Sequence, residues 1–253
     1  VALTAIVLAG GQRDGVCAGD PNAPNKAFVA INGRSLVART MDALRSAESI
    51  GRIIAVAPHS AHGRPELAQA DEVRAGGARM ADSLRAGIAG LPAEEQAIVA
   101  ASDLPVLTAA AVDEFAGLVR ERAADVTYAC VARAVHEAAF PGVPHTWATM
   151  AEGQFCGGGL AALRPLRLAS LERFLDRLGS ARKNPLQLAA IFGAEVMFRY
   201  ATGSLSIAAC ERRASELLGG SAAAAVCSHA EIAFNVDRPG DVALAERYAR
   251  TSV

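Results

Sequence analysis

What most limits the fold of this chain is a rhythm: short apolar runs, each bounded by turn residues, alternate with amphipathic stretches. A strand that is apolar on both faces must be covered on both. Repeated strand–helix units of this kind lead to a mostly parallel sheet between two helical layers. The runs at 4–8, 53–57, 97–101, 126–132 and 159–163 predict strands, and 35–47, 80–89, 108–122 and 241–250 predict helices. Thr108 is placed to cap its helix, because a hydroxyl there accepts from the free N–H groups of the first turn, and Asp241 reads as the cap of the last helix. Over 166–221 the rhythm changes to helical patterns at 168–178, 185–192 and 204–218, with one weak strand at 196–200. This predicts a helical insertion ahead of the last sheet element. Its apolar face, Leu171, Phe174, Leu175 and Leu178, recurs at helical spacing; it either packs on the domain or forms an acceptor-side lid or a dimer surface.

The 253 residues suffice to bury one large core, so 1–253 is expected to form a single domain. Lys plus Arg (25) nearly balances Asp plus Glu (26), which argues against bulk attraction to nucleic acid or acidic membranes. An anionic ligand would have to be met by a local cluster. The five cysteines, Cys17, Cys130, Cys156, Cys210 and Cys227, include no Cys-x-x-Cys pair and read as reduced thiols, pointing to the cytoplasm. No basic stretch followed by an apolar core opens the sequence, and no apolar run approaches about 18 residues, so neither a signal peptide nor a membrane span is expected.

The first strand runs into "LAGGQRDG", residues 8–15. This loop fails both familiar phosphate patterns. A Walker loop needs Lys and Ser or Thr after its last glycine, where Val16 and Cys17 stand; a dinucleotide fingerprint needs Gly-x-Gly, where Gln12 and Arg13 stand. On its own terms, Gly10-Gly11 turns the chain sharply and lets backbone N–H groups approach a ligand with no Cβ in the way. Arg13 adds a fixed positive charge, and Lys26, in "NAPNKAFVAINGRSLV", can be folded back over Gly10 by the loop 9–25. Two cations and a nest of amides suit a triphosphate. In "AIVAASDLPVLT" an apolar strand runs into Ser102-Asp103 and is stopped by Pro105. That puts Asp103 at the carboxyl end of a central strand, where open α/β sheets bind ligands; it either offers hard oxygen to magnesium or caps the following turn. In "FNVDRPGDVALAE", Asp237 at a strand end has no capping duty and is available as a second metal carboxylate. Magnesium is commonly held by one or two carboxylates plus substrate phosphates.

"VLAGGQRDG" with Lys26 downstream, "SDLPVLT" and "NVDRPGDVALAE", in that order, resemble the signature blocks of the MobA-like NTP transferases. That nucleotidyltransferase superfamily includes molybdopterin guanylyltransferase, the cytidylyltransferase of isoprenoid synthesis and the sugar-phosphate nucleotidyltransferases. The resemblance implies a three-layer α/β/α fold with a mostly parallel, Rossmann-like sheet of the nucleotide-diphospho-sugar transferase type. It implies that Gly10, Gly11, Arg13 and Lys26 bind the triphosphate, that Leu8, Ala9 and Ser102 border the nucleotide, and that Asp103 and Asp237 hold Mg2+. Asn235 is the substitute for Asp237, because related enzymes vary between Asn and Asp in this block. A further block, "AGGARMADSLRAGI", is similar to the Gly-Gly-x-Arg…Ser segment of the isoprenoid cytidylyltransferase, which lays Gly77, Arg79 and Ser83 along the nucleotide and leans towards CTP, with GTP open; Ser83 reads equally as a polar residue inside an ordinary helix. The chain departs from the family in the longer stretch "VCAGDPNAP" ahead of Lys26.

On the acceptor side, "GQFCGGGLAAL" carries three glycines, which mark a bulge or a close approach. In the resembling sugar-phosphate enzymes a glycine of this region faces the acceptor, and Gly158 and Gly159 are carried over. Arg182 and Lys183, in "SARKNPL", either hold the acceptor's phosphate or are solvated charges near a helix cap. Cys156 has no recognisable His partner and reads as a buried thiol, not a nucleophile. His59, His62, His136, His145 and His229 form no metal spacing and read as surface or loop residues, and Trp147 reads as core filling. The implied reaction is magnesium-dependent transfer of a nucleotidyl group from a nucleoside triphosphate to a phosphorylated small-molecule acceptor, with Lys26 and Arg13 as its catalytic cations. A homo-oligomer is compatible with this reading. Two others stay open: a glycosyltransferase of related fold, against which no Asp-x-Asp triplet occurs at Asp103, and a nucleotide-binding regulatory module without catalysis.

Overall fold

The computed structural model describes residues 2–77, 79–181 and 185–249. The chain begins with β1 (Leu3–Leu8), a hairpin of β2 (Ala30–Ile31) and β3 (Arg34–Ser35), α1 (Leu36–Ser46) and β4 (Ile50–Ala57). It continues with β5 (Glu72–Ala75), α2 (Met80–Ile88), β6 (Ala97–Ala101), α3 (Ala109–Arg122) and β7 (Val126–Ala132). Next come α4 (Arg133–Ala139), β8 (Ala148–Met150) and β9 (Gly153–Leu163). The helical insertion follows as α5 (Leu168–Ala181), α6 (Pro185–Phe192), α7 (Ala194–Ala201) and α8 (Ile207–Leu218), before β10 (Ala222–Cys227) and α9 (Pro239–Tyr248).

The sheet runs β10-β7-β9-β6-β1-β4-β5, with β8 on β9. β1 is parallel to β4 and β6, β4 to β5, and β10 to β7, whereas β9 is antiparallel to both β6 and β7. Alternation along β1 explains the layers. Ile6 packs with Val56, Leu84 and Ile88 beneath α2, while Ala5 and Val7 belong to the larger core shared with α1 and α3. Gly87 is needed where α2 crosses β1, because a Cβ there would run into Ile6. Burial of an isoleucine such as Ile6 contributes about 1.5–3 kcal/mol, which fixes β1 as a central strand and its carboxyl end as the place where loops converge. The Thr108 hydroxyl caps α3 as expected, accepting from Ala111 N at 3.2 Å, and the Ser35 hydroxyl does the same for α1, accepting from Ala38 N at 3.3 Å.

Other expectations are corrected. Residues 196–200 lie in α7, because a short apolar run has no periodicity to separate strand from helix, and packing against α6 decides. The alanine-rich run of β10, which carries weak strand propensity, is drawn into the sheet by pairing with β7 and cover from α3 and α8. Residues 230–237 form a short 3-10 turn, Ala230–Ala233, and an extended segment, so Asp237 does not end a strand. Asp241 is the third residue of α9 and not its cap; its carboxylate reaches back to accept from the backbone N–H groups of Asp237 (3.0 Å) and Arg238 (2.8 Å). His136 is fully buried on α4 against Phe140, His145 and Trp147, not at the surface.

The apolar face of the insertion is covered in part from within the chain: Leu171 packs on the cluster beneath α2, and Phe174 meets Phe192 edge-on at 6.1 Å. Trp147 packs against the main core. The five cysteines are unpaired thiols, and burial pushes Cys130 and Cys156 up to about 11, as inert thiols require. No helix among the described residues is long and apolar enough to cross a membrane.

Candidate active site

β1 ends at Leu8, and the Ala9 N–H continues its pairing by donating to Val56 O at 2.8 Å. The chain then turns at Gly10 and Gly11. Gly11 has φ +105°, a conformation only glycine adopts without strain, and a Cβ on Gly10 would stand 3.3 Å from the Ser83 hydroxyl. Ser83, near the start of α2, in turn accepts from Gly77 N at 3.2 Å. One buried hydroxyl therefore bonds the second glycine turn and packs closely against the first.

The buried Asn25 side chain joins this loop to the next cation. Its Nδ2 donates to Ala9 O (3.0 Å) and Gly11 O (3.3 Å), and its Oδ1 accepts from Ala27 N (2.9 Å). With the carbonyls of residues 9 and 11 drawn towards Asn25, the short turn Lys26–Phe28 is held against the glycines. Lys26 Nζ then sits between two carboxylates, 2.5 Å from Asp103 Oδ2 and 2.8 Å from Asp237 Oδ1, and also donates to Val236 O at 3.3 Å. Burial disfavours the ammonium, but the charge and hydrogen bond of Asp103, with those of Asp237, outweigh it and hold Lys26 well above the usual lysine range.

Asp103 follows Ser102 just beyond β6 and is almost fully buried, while the Asp237 carboxylate stands in solvent. The other Asp103 oxygen accepts from Asn235 Nδ2 at 3.0 Å, and its backbone carbonyl accepts from Val236 N at 3.1 Å. Asn235 and Asp237 thus serve together: the first orients Asp103, the second meets Lys26. These side chains open into a cavity of about 760 Å³, which Leu8, Gly10, Gly11 and Ser102 also line. Gly77, Arg79 and Ser83 line its other wall, and Gly158 and Gly159 of β9 its floor. Gly159 is there for a close approach, since a Cβ would come within 2.6 Å of Leu104 and 3.1 Å of Asn235.

Two expected residues are not brought to the cavity. Ala9 is buried in the strand pairing just described. The Arg13 guanidinium turns back into its own loop, donating to the carbonyls of Cys17 (3.2 Å), Asp20 (3.2 Å), Pro21 (3.3 Å) and Ala23. It thereby shapes the long segment ahead of Lys26. Arg79 lies at the rim, paired with Asp82 at 3.1 Å and Asp176 at 3.3 Å. Arg182 and Lys183 lie outside the described residues.

The model of the MobA-like NTP transferase domain matches residues 5–183. The chain belongs to that family. Its coarse chemistry follows: a nucleotidyl group leaves a nucleoside triphosphate donor and pyrophosphate is released. Among solved structures, a hypothetical transferase from Thermus thermophilus is 29% identical, with a TM-score of 0.81 over 96% of this chain and 100% of that one. CMP:2-keto-3-deoxy-manno-octonic acid synthetase, solved with CTP, gives a TM-score of 0.58 at 12% identity over 100% of both chains. The 2-C-methyl-D-erythritol 4-phosphate cytidylyltransferase of Thermus thermophilus gives 0.55 at 16% identity, over 99% of this chain and 100% of that one; these two likenesses show the fold. No curated protein matches the chain significantly.

The family match stops short of Asn235, Asp237 and Arg238, which the fold nevertheless returns to the cavity beside Lys26. Sequence reasoning missed Asn25, Arg238, and the Tyr128 and Pro144–Thr146 side of the cavity. For Asn25 a signal existed, an amide directly ahead of a lysine on a turn. For Tyr128 and His145 there was none, since β7 and the loop before β8 meet only through tertiary contacts, among them the pairing of β7 and β8 with β9 and the bond of His145 to Ala233 O.

Proposed function

We propose that the protein is a magnesium-dependent nucleotidyltransferase that moves an NMP group from a nucleoside triphosphate to a phosphorylated small-molecule acceptor. The observation that carries this reading is the position of Lys26 Nζ between Asp103 and Asp237, beside the Gly10-Gly11 turn. An oxygen of the acceptor phosphate attacks the α-phosphorus; the bond from that phosphorus to the bridging oxygen breaks, and its electron pair leaves with pyrophosphate. A phosphate monoester is already anionic near neutral pH, so no protein base is needed. Catalysis is then positioning and charge neutralisation.

The two carboxylates fit a magnesium ion. Both reach a single ammonium, so both reach a single cation in its place. No group of three or more His, Cys, Asp or Glu side chains suited to a metal occurs among the described residues, which agrees with an ion whose remaining positions come from water and substrate phosphates. Bound there, the ion would offset the charge of the phosphates and of the leaving pyrophosphate. Asn235 keeps Asp103 aimed, and the Asp241 carboxylate fixes the backbone of Asp237. Lys26 would pass from the carboxylates to the α-phosphate, where it stabilises the charge that develops. The amides of Gly10 and Gly11 supply further donors on the phosphates.

The test is pyrophosphate release from each of the four nucleoside triphosphates with magnesium, across a panel of phosphorylated alcohols, sugar phosphates and phosphorylated acids. Pyrophosphate formed in step with a nucleotide–acceptor adduct is expected for one pairing. Consumption of a sugar nucleotide without pyrophosphate would support the glycosyltransferase reading instead.

A further inference from the structure

We infer that Arg238, in place of Arg13, is the guanidinium that meets the β- and γ-phosphates of the triphosphate and the pyrophosphate that leaves. This assignment rests on the nucleotidyl-transfer reading and deepens it. A triphosphate brings several negative charges into a cavity already lined by Asp103, Asp237 and Asp241, so the cations that remain uncommitted decide where it is held. Among the described residues, three strong cations line the cavity: Lys26, Arg79 and Arg238. Lys26 is shared between Asp103 and Asp237, and Arg79 is paired with Asp82 and Asp176. The Arg238 guanidinium has no hydrogen-bond or ion-pair partner among the described residues. Arg13 is committed to four carbonyls of its own loop.

The place of Arg238 matches the role. Residue 238 directly precedes α9, and the loop that begins at Gly10 ends against the same helix: a Cβ on Gly15 would stand 3.4 Å from Pro239, and the turn Gly15–Gly19 packs on α9. The glycine loop therefore spans from the Lys26 end of the cavity to the root of Arg238. That root is fixed, since Arg238 N donates to the Asp241 carboxylate at 2.8 Å and Arg238 O accepts from Asp241 N at 2.9 Å. Its tip is exposed and free to fold onto a ligand. A guanidinium offers paired donors that match two phosphate oxygens, which suits a group that must hold pyrophosphate while the bond to the α-phosphorus breaks.

Calorimetric titration of inorganic pyrophosphate, nucleoside triphosphates and nucleoside monophosphates, with magnesium, into the wild-type protein, Arg238→Gln and Arg13→Gln tests this. Charge-assisted hydrogen bonds of this kind predict that Arg238→Gln weakens pyrophosphate and triphosphate binding at least about tenfold. Monophosphate binding and the melting temperature should hold. Arg13→Gln should lower the melting temperature and lose less pyrophosphate affinity than Arg238→Gln. Pyrophosphate affinity in Arg238→Gln equal to wild type would overturn the assignment, as would an equal loss for the monophosphate. If the wild-type protein bound neither triphosphate nor pyrophosphate, the nucleotidyl-transfer reading itself would fall, and this assignment with it.

Discussion

Lys26 Nζ lies 2.5 Å from Asp103 Oδ2, and this contact joins the loop after β1 to the segment after β6. The Asp103 side chain is only 6% exposed, and that ammonium and the Asn235 amide each bond one of its two oxygens. In the proposed reaction the same two groups face the triphosphate. Lys26→Ala and Asp103→Asn are each expected to lower turnover at least about a hundredfold, the scale of losing one preorganised charge contact. Circular dichroism should keep its native form in both. Pyrophosphate-release kinetics check this, and near-normal turnover in either variant would remove that residue from the mechanism.

Asn25 makes three hydrogen bonds from a fully buried position. Asn25→Ala leaves Ala27 N and two carbonyls short of partners at a cost of about 1–3 kcal/mol or more. Asn25→Asp keeps the acceptor for Ala27 and loses both donors. Urea denaturation should therefore rank wild type above either variant, and triphosphate affinity should fall in both because the glycine loop is no longer tied to Lys26. A stability equal to wild type in Asn25→Ala would show that the loop holds itself.

Gly159→Ala is expected to act on Asp103 at second hand. The new methyl would press on Leu104 and Asn235, and overpacking of this kind costs about 1–3 kcal/mol. Because Asn235 orients Asp103, the variant should lose turnover beyond what its stability loss explains; Gly219→Ala, at an exposed helix end with φ +61°, should lose stability alone. Parallel denaturation and turnover measurements separate the two outcomes.

His136 gives the fold a pH dependence. Burial, with His145 at 4.5 Å between ring centroids, pushes its imidazole down to about 4 from an ordinary 6.5. Between those values the unfolded chain binds the proton and the folded chain does not. Stability is therefore full above about pH 6.5 and declines as the pH falls towards 4, by up to about 3 kcal/mol. His136→Phe should flatten this part of the stability–pH curve measured by denaturant unfolding. An unchanged slope would assign the acid sensitivity to other groups.

The sequence made the parallel core legible because its strands are apolar on both faces and its helices begin at hydroxyl caps such as Thr108. β8, the first half of β9, and β10 were not legible, since their strand state comes from pairing with distant partners and not from local propensity. Gly10, Lys26, Asp103 and Asp237 could be read as blocks and do meet in one cavity. The polar groups that aim them could not. Asn25 serves carbonyls behind it in the chain, Asn235 serves a carboxylate on another loop, and Arg13 is drawn from the cavity by backbone carbonyls that a sequence does not display. Charged residue types announce themselves in a motif, whereas the hydrogen bonds that commit or release them are set by the fold.

In the proposed reaction Asp103 and Asp237 bind a triphosphate through magnesium. The most direct test of this is calorimetric titration of the four nucleoside triphosphates into the wild-type protein and Asp103→Asn, with and without Mg2+. At least about tenfold tighter binding of one triphosphate in the presence of magnesium is predicted, a gain of about 1.4 kcal/mol that Asp103→Asn abolishes. A magnesium effect that survives Asp103→Asn, or tight binding of a sugar nucleotide with no response to any triphosphate, would contradict it.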